Sequence, residues 1–155
     1  MSKKISKKQD NNKLVVSNLN NNHSFCKYDR KNTLFDFSHV TNKKGYSIDN
    51  LLKANDKNLL KEFLRLINVV SITTWNELSM RSKYNLGGFE TLEKSIFKTD
   101  ICDNFEYITD DTKLYVFRFG NADKYRMICH KSRNCELVLH VLAFDLDVSL
   151  YDHGK

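Results

Sequence analysis

The spacing of apolar residues along this chain changes twice, and each change marks a change in the expected structure. Residues 1–13 are Lys, Ser, Gln, Asp and Asn around one isolated Ile5. Such a stretch is too polar to bury a face and is predicted to form a disordered basic tail. Leu14-Val15-Val16 can begin a short strand that the Asn-rich run from Asn18 to Asn22 stops. From Thr33 to Val40, Phe35, Phe37 and His39 alternate with Leu34, Asp36 and Ser38, the period-two pattern of an edge strand.

Beyond Gly45 the period lengthens. Leu52, Leu59, Leu60, Phe63, Leu64 and Ile67 recur at three and four, so one face of a helix is predicted there, with Ser47 or Asp56 as its cap. Thr74 followed by Glu77 has capping-box spacing and predicts a second helix from about Trp75 to Tyr84, with Trp75, Leu78 and Met80 facing inward. Phe89, Leu92, Ile96 and Phe97 keep helical spacing, which predicts a short third helix and then a loop through the acidic stretch Asp100 to Asp111.

From Leu114 the period shortens again. Strands are expected at Leu114 to Phe119, at Tyr125 to Cys129 and at Leu137 to Phe144, with turns at Gly120 to Asp123 and Lys131 to Asn134. The Leu137 to Phe144 run is apolar on both faces and is expected to be the central strand, and Val148 to Tyr151 to close the sheet. The fold class that follows is α+β: an N-terminal strand, two to three helices and a C-terminal antiparallel meander, in a single domain over residues 14–155.

Composition supports a folded body. At 155 residues, with 41% apolar and 12% aromatic side chains, the chain can bury a core without metal or disulfide help. No proline and only five glycines are present, so Asn and Asp must supply most turns and caps. Cys26, Cys102, Cys129 and Cys135 form no CxxC pair, which fits reduced thiols in a cytoplasm. No apolar run is long enough for a membrane span, and no apolar region follows the N-terminal lysines, so neither insertion nor secretion is expected.

The net charge of +6 is unevenly placed. Residues 1–44 carry ten Lys or Arg against three Asp, a balance of +7, which leaves the other 111 residues near −1. The body therefore has no general field for phosphate backbones, and a nucleic-acid site must be a local patch or the tail.

Arg118, Arg126 and His140 interrupt three successive apolar strands, where charged side chains are disfavoured unless paired or used. Tyr151 and His153 can join them if the last strand pairs alongside. Together they have the parts for metal-free RNA cleavage: proton carriers and guanidinium groups for charge developing on phosphorus. Taken singly, each is equally what an exposed strand residue or an ion-pair partner looks like, with Asp123, Glu136 and Asp145 available as partners. Cys129, His130 and Cys135 give too few ligands for structural zinc, and Asp145, Asp147 and Asp152 fit a solvated turn, so no metal or cofactor is expected.

The order of strand, helices and terminal meander resembles the RelE/ParE toxin superfamily, on Arg118 in the first meander strand, on Lys124-Tyr125-Arg126-Met127-Ile128 and on Tyr151-Asp152-His153. The resemblance covers about residues 34–153. It implies a cytoplasmic toxin domain acting on RNA at the ribosome, or a silent relative, with an antitoxin-like protein partner. It implies Arg118 and Arg126 as phosphate ligands and Tyr151 or His153 as acid or base, with Lys124, Lys131, Arg133 and His140 as further nucleic-acid contacts. The other reading is a non-enzymatic small protein of a mobile element that binds a protein partner through its helical face or sheet edge. Whether the chain is an enzyme, and its oligomeric state, are open at this level.

Overall fold

The computed structural model describes residues 31–54 and 56–152. The basic tail, the strand expected at 14–16 and His153 lie outside these residues. The fold is α+β. Among the described residues five strands form one mixed sheet in the order β1-β5-β4-β3-β2, with β1 at Leu34–Asp36, β2 at Phe89–Glu93, β3 at Lys113–Phe119, β4 at Tyr125–Lys131 and β5 at Val138–Asp145. The β1 edge runs parallel to β5, and all other pairs are antiparallel.

Alternation along β3 and β4 explains why both faces of the sheet are covered. Tyr115, Phe117, Phe119, Tyr125, Met127 and Cys129 point to one side, where three helices pack: α1 at Ile48–Lys53, α2 at Lys57–Ser71 and α3 at Trp75–Met80. Leu114, Val116 and Ile128 point to the other side, which is covered by an irregular segment through Phe97, Ile101, Cys102, Phe105 and Ile108 and by Leu150 and Tyr151. The β4–β5 register shifts between Ile128 and Cys129, which lets Leu142 and Ala143 both serve the second core while Val141 and Phe144 serve the first.

Local chemistry sets the helix starts. Asp56 caps α2 by accepting from the Asn58 backbone N–H, and Thr74 with Glu77 forms the expected capping box on α3. Leu59, Phe63, Leu66 and Val70 are the buried stripe of α2.

Several expectations from spacing are corrected. The single helix expected after Gly45 is two, α1 and α2, and Ser47 and Asp56 are their separate caps. Leu52, Leu60 and Leu64 do not join the core but are 68%, 48% and 56% exposed, because the buried stripe of α2 falls one residue before Leu60 and Leu64. The second helix ends at Met80, which is exposed.

The third helix expected from Phe89 is β2 and a 3-10 turn at Lys94–Ile96, since Phe89 to Glu93 pair with β3. Pairing with a neighbour outweighs an ambiguous local period. A tight turn brings that strand in: a Cβ at Gly88 would lie 1.9 Å from the Ser82 carbonyl oxygen. The middle strand is β4 and not β5. Val148 to Tyr151 does not add a strand but crosses the second face of the sheet, starting from Val148 at φ 63°. Cys102 and Cys129 are free and buried, whereas Cys135 is disulfide-bonded, contrary to the expectation of four reduced thiols.

Candidate functional site

Two polar clusters break the second, loop-covered face of the sheet, one at each end of β4 and β5. The first lies at the Arg126 end. Arg118 and Arg126 are direct cross-strand partners, and Asp145 is the partner of Arg126 on its other side. Glu90, on β2, receives a hydrogen bond from Arg118 Nη2 at 2.8 Å and from Lys83 Nζ at 3.0 Å. The Tyr151 hydroxyl donates to the same Glu90 oxygen that Arg118 uses, at 2.9 Å, and is itself hydrogen-bonded to Arg126.

Asp145 explains how Tyr151 arrives there. Its buried carboxylate accepts from the backbone N–H groups of Ser149 and Leu150 at 3.0 and 3.2 Å. That fixes the chain just before Tyr151, much as a cap fixes a helix start.

Electrostatics follow from this wiring. Burial pushes the Glu90 carboxyl up, but the hydrogen bonds from Arg118, Lys83 and Tyr151 outweigh it and hold the group at about 2. The carboxylate is therefore ionised at neutral pH. Burial and the adjacent Glu90 carboxylate push the Tyr151 phenol above its ordinary value, so it stays protonated. Burial also raises Asp145. Arg126 and Tyr151 are only 6% and 3% exposed, so the cluster meets solvent mainly along Lys83, Arg118 and the exposed Tyr84, whose ring lies 5.4 Å from the Arg118 guanidinium. The Arg118 Nε is buried with no hydrogen-bond partner.

Three of the four residues expected to carry chemistry, Arg118, Arg126 and Tyr151, are thus brought together, and His153 lies outside the described residues. Glu90 and Lys83 were not anticipated. Glu90 sits in the stretch whose spacing read as helix, where nothing marks it as a partner of β3.

The four further nucleic-acid candidates do not share one patch. Lys124 lies in the β3–β4 turn over the Tyr125 ring, and Lys131 lies over Trp75 on the helix-covered side, 4.5 Å from the ring centre. Arg133 stacks on Tyr107 at 4.0 Å and donates to its carbonyl. His140 belongs to the second cluster.

That second cluster forms where β1 meets β5. Asp36 and His140 are register partners, and Asp36 Oδ2 lies 2.8 Å from His140 Nδ1 and 3.5 Å from His39 Nε2. The other carboxylate oxygen is engaged by Ser38, through its backbone N–H at 2.9 Å and its hydroxyl at 2.6 Å. Phe105 packs against both imidazoles, with ring centres 4.4 Å from His39 and 5.2 Å from His140. Burial pushes the Asp36 carboxyl up, but the Ser38 and His140 hydrogen bonds hold it at about 2.

Fold and site together define an α+β protein with a mixed five-stranded sheet and two polar clusters set into one covered face. No protein-family model, curated protein or solved structure matches the chain.

Proposed function

We propose that the chain is a RelE-like toxin domain acting on RNA, with the Glu90, Arg118, Arg126 and Tyr151 cluster as its working site. The observation that carries this is that Arg118 and the Tyr151 phenol converge on the Glu90 carboxylate, with Arg126 hydrogen-bonded to the same phenol, on a single face of the sheet. Arg118, on the solvent side of the cluster, supplies charge for a phosphodiester as a planar donor suited to phosphate oxygens, and Arg126, only 6% exposed, reinforces it from behind.

In the cleavage step the ribose 2′ oxygen attacks phosphorus and the 5′ oxygen leaves, giving a 2′,3′-cyclic phosphate and a 5′ hydroxyl. One proton carrier takes the 2′ proton and another gives a proton to the 5′ oxygen. Tyr151 or His153 is proposed as acid or base. Glu90, held at about 2, is too weak a base for either role and acts as a positioning residue for Arg118 and Tyr151.

Inducible expression in cells tests the reading. Wild-type chain should arrest growth and shorten cellular mRNA, and Arg126→Ala should relieve both while keeping a cooperative unfolding transition. Absence of arrest, or arrest undiminished in a folded Arg126→Ala protein, would overturn it.

A second reading, a protein-binding module, is favoured by a different observation. Ile48, Leu52, Leu60 and Leu64 are exposed on α1 and α2, and Lys53, Lys57, Lys61 and Arg65 accompany them. An apolar stripe edged by cations suits an acidic amphipathic segment of a partner. A photocrosslinker at residue 64 should then capture an acidic protein in cells, and Leu60→Asp should abolish the capture without lowering stability. Absence of such a crosslink sinks the reading.

A further inference from the structure

The geometry points to a divalent metal site of the two-histidine, one-carboxylate type at Asp36, His39 and His140, suited to Zn2+ or another first-row ion. Each of the three offers one ligand atom, and these atoms lie within 4.8 Å of one another. Neighbouring ligands of a tetrahedral ion with bonds of about 2.0–2.1 Å stand roughly 3.3 Å apart. The observed 2.8 Å and 3.5 Å separations from Asp36 Oδ2 to the two imidazole nitrogens straddle that value. An ion can therefore replace the shared carboxylate hydrogen bonds by drawing the two imidazole nitrogens, which lie within 4.8 Å of each other, toward that spacing.

The fold prepares the ligands. Ser38 holds one oxygen of Asp36 and leaves the other facing both histidines. Strand register fixes His140 beside Asp36, and Phe105 limits both rings from behind. Such outer contacts orient ligands in metal sites. His39 and Asp36 are half-buried, so an ion can reach them from solvent.

An independent observation lies on the next strand. His130 is the register partner of His140, is only 6% exposed, and its Nδ1 has no hydrogen-bond partner. A buried nitrogen left in this state costs about 1–3 kcal/mol, although His130 is not itself one of the three residues whose ligand atoms converge.

Binding replaces a proton shared by Asp36 and His140 with the ion. The three protein ligands leave a fourth position for water, as in sites that do chemistry more often than in purely structural ones.

Titration of the full-length protein with Zn2+, followed by calorimetry, and with Co2+, followed by its visible absorption, tests the assignment. One ion per chain should bind, with a tetrahedral Co2+ spectrum lacking a thiolate band. His39→Ala, which lies in a turn at the sheet edge and also loses the Phe105 ring contact, should weaken binding at least tenfold and remove the rise in Tm that Zn2+ gives the wild type. Asp36→Asn should do the same. A His23→Ala, His153→Ala double variant, which leaves the proposed ligands intact, should bind as the wild type does. No stoichiometric binding, binding unchanged in His39→Ala, or binding lost in the His23, His153 variant would each overturn the proposal.

Discussion

The Tyr151 hydroxyl donates to Glu90 Oε1 at 2.9 Å across 61 residues of sequence, joining the C-terminal crossing to the edge strand β2. Tyr151→Phe removes only this oxygen and keeps the ring that packs against Phe97. We expect a loss of about 2 kcal/mol in urea unfolding, because the hydroxyl serves both the Glu90 carboxylate and Arg126, together with reduced growth arrest. Unchanged stability would mean that the bond is not made in solution.

Glu90 gives the structure an acid limb. Its folded-state carboxyl, held at about 2, is below its ordinary value of 4.5. The ionised form is thus favoured by folding, so its contribution is complete above pH 4.5 and is lost as pH falls from 4.5 toward 2. Glu90→Gln should flatten that part of the stability profile relative to wild type. It should also cost about 2 kcal/mol at neutral pH by leaving Arg118 without its carboxylate. Urea midpoints measured against pH for both proteins check the sign; parallel profiles would refute it.

Gly88 makes the close turn that delivers β2. A methyl group there meets the Ser82 carbonyl oxygen at 1.9 Å, and backbone cannot yield as a side chain can. Gly88→Ala should cost about 2–3 kcal/mol. Hydrogen exchange should show protection lost at Phe89 to Glu93 first, with β4 and β5 still protected. Equal stability of the variant would show that the turn relaxes freely.

Asp56 serves two elements at once. It caps α2 through the Asn58 N–H and accepts the Tyr125 hydroxyl at 2.7 Å, tying the helix layer to β4. Asp56→Ala should lower Tm by about 3 °C, and Tyr125→Phe by less. Because both remove the same bond, the double variant should fall short of the sum. Strict additivity would contradict the shared contact.

Much of the architecture could be read from spacing alone. The meander strands, the capping box at Thr74 and Glu77 and the amphipathic character of α2 are set by neighbours two to four residues apart, whose side chains share a face wherever the chain goes. Arg118 and Arg126 stood out because charge on an apolar strand has a cost that some partner must offset.

Partners themselves were not legible. Phe89 to Glu93 fits helix or strand locally, and only pairing with β3 made it a strand carrying Glu90 to Arg118. His39 and His140 are 101 residues apart, and parallel pairing of β1 with β5 placed them around Asp36. Local spacing was enough to mark the residues that could not remain alone in an apolar setting. Tertiary structure decided which of them meet, because long-range register depends on the whole sheet closing over two cores and not on any local period.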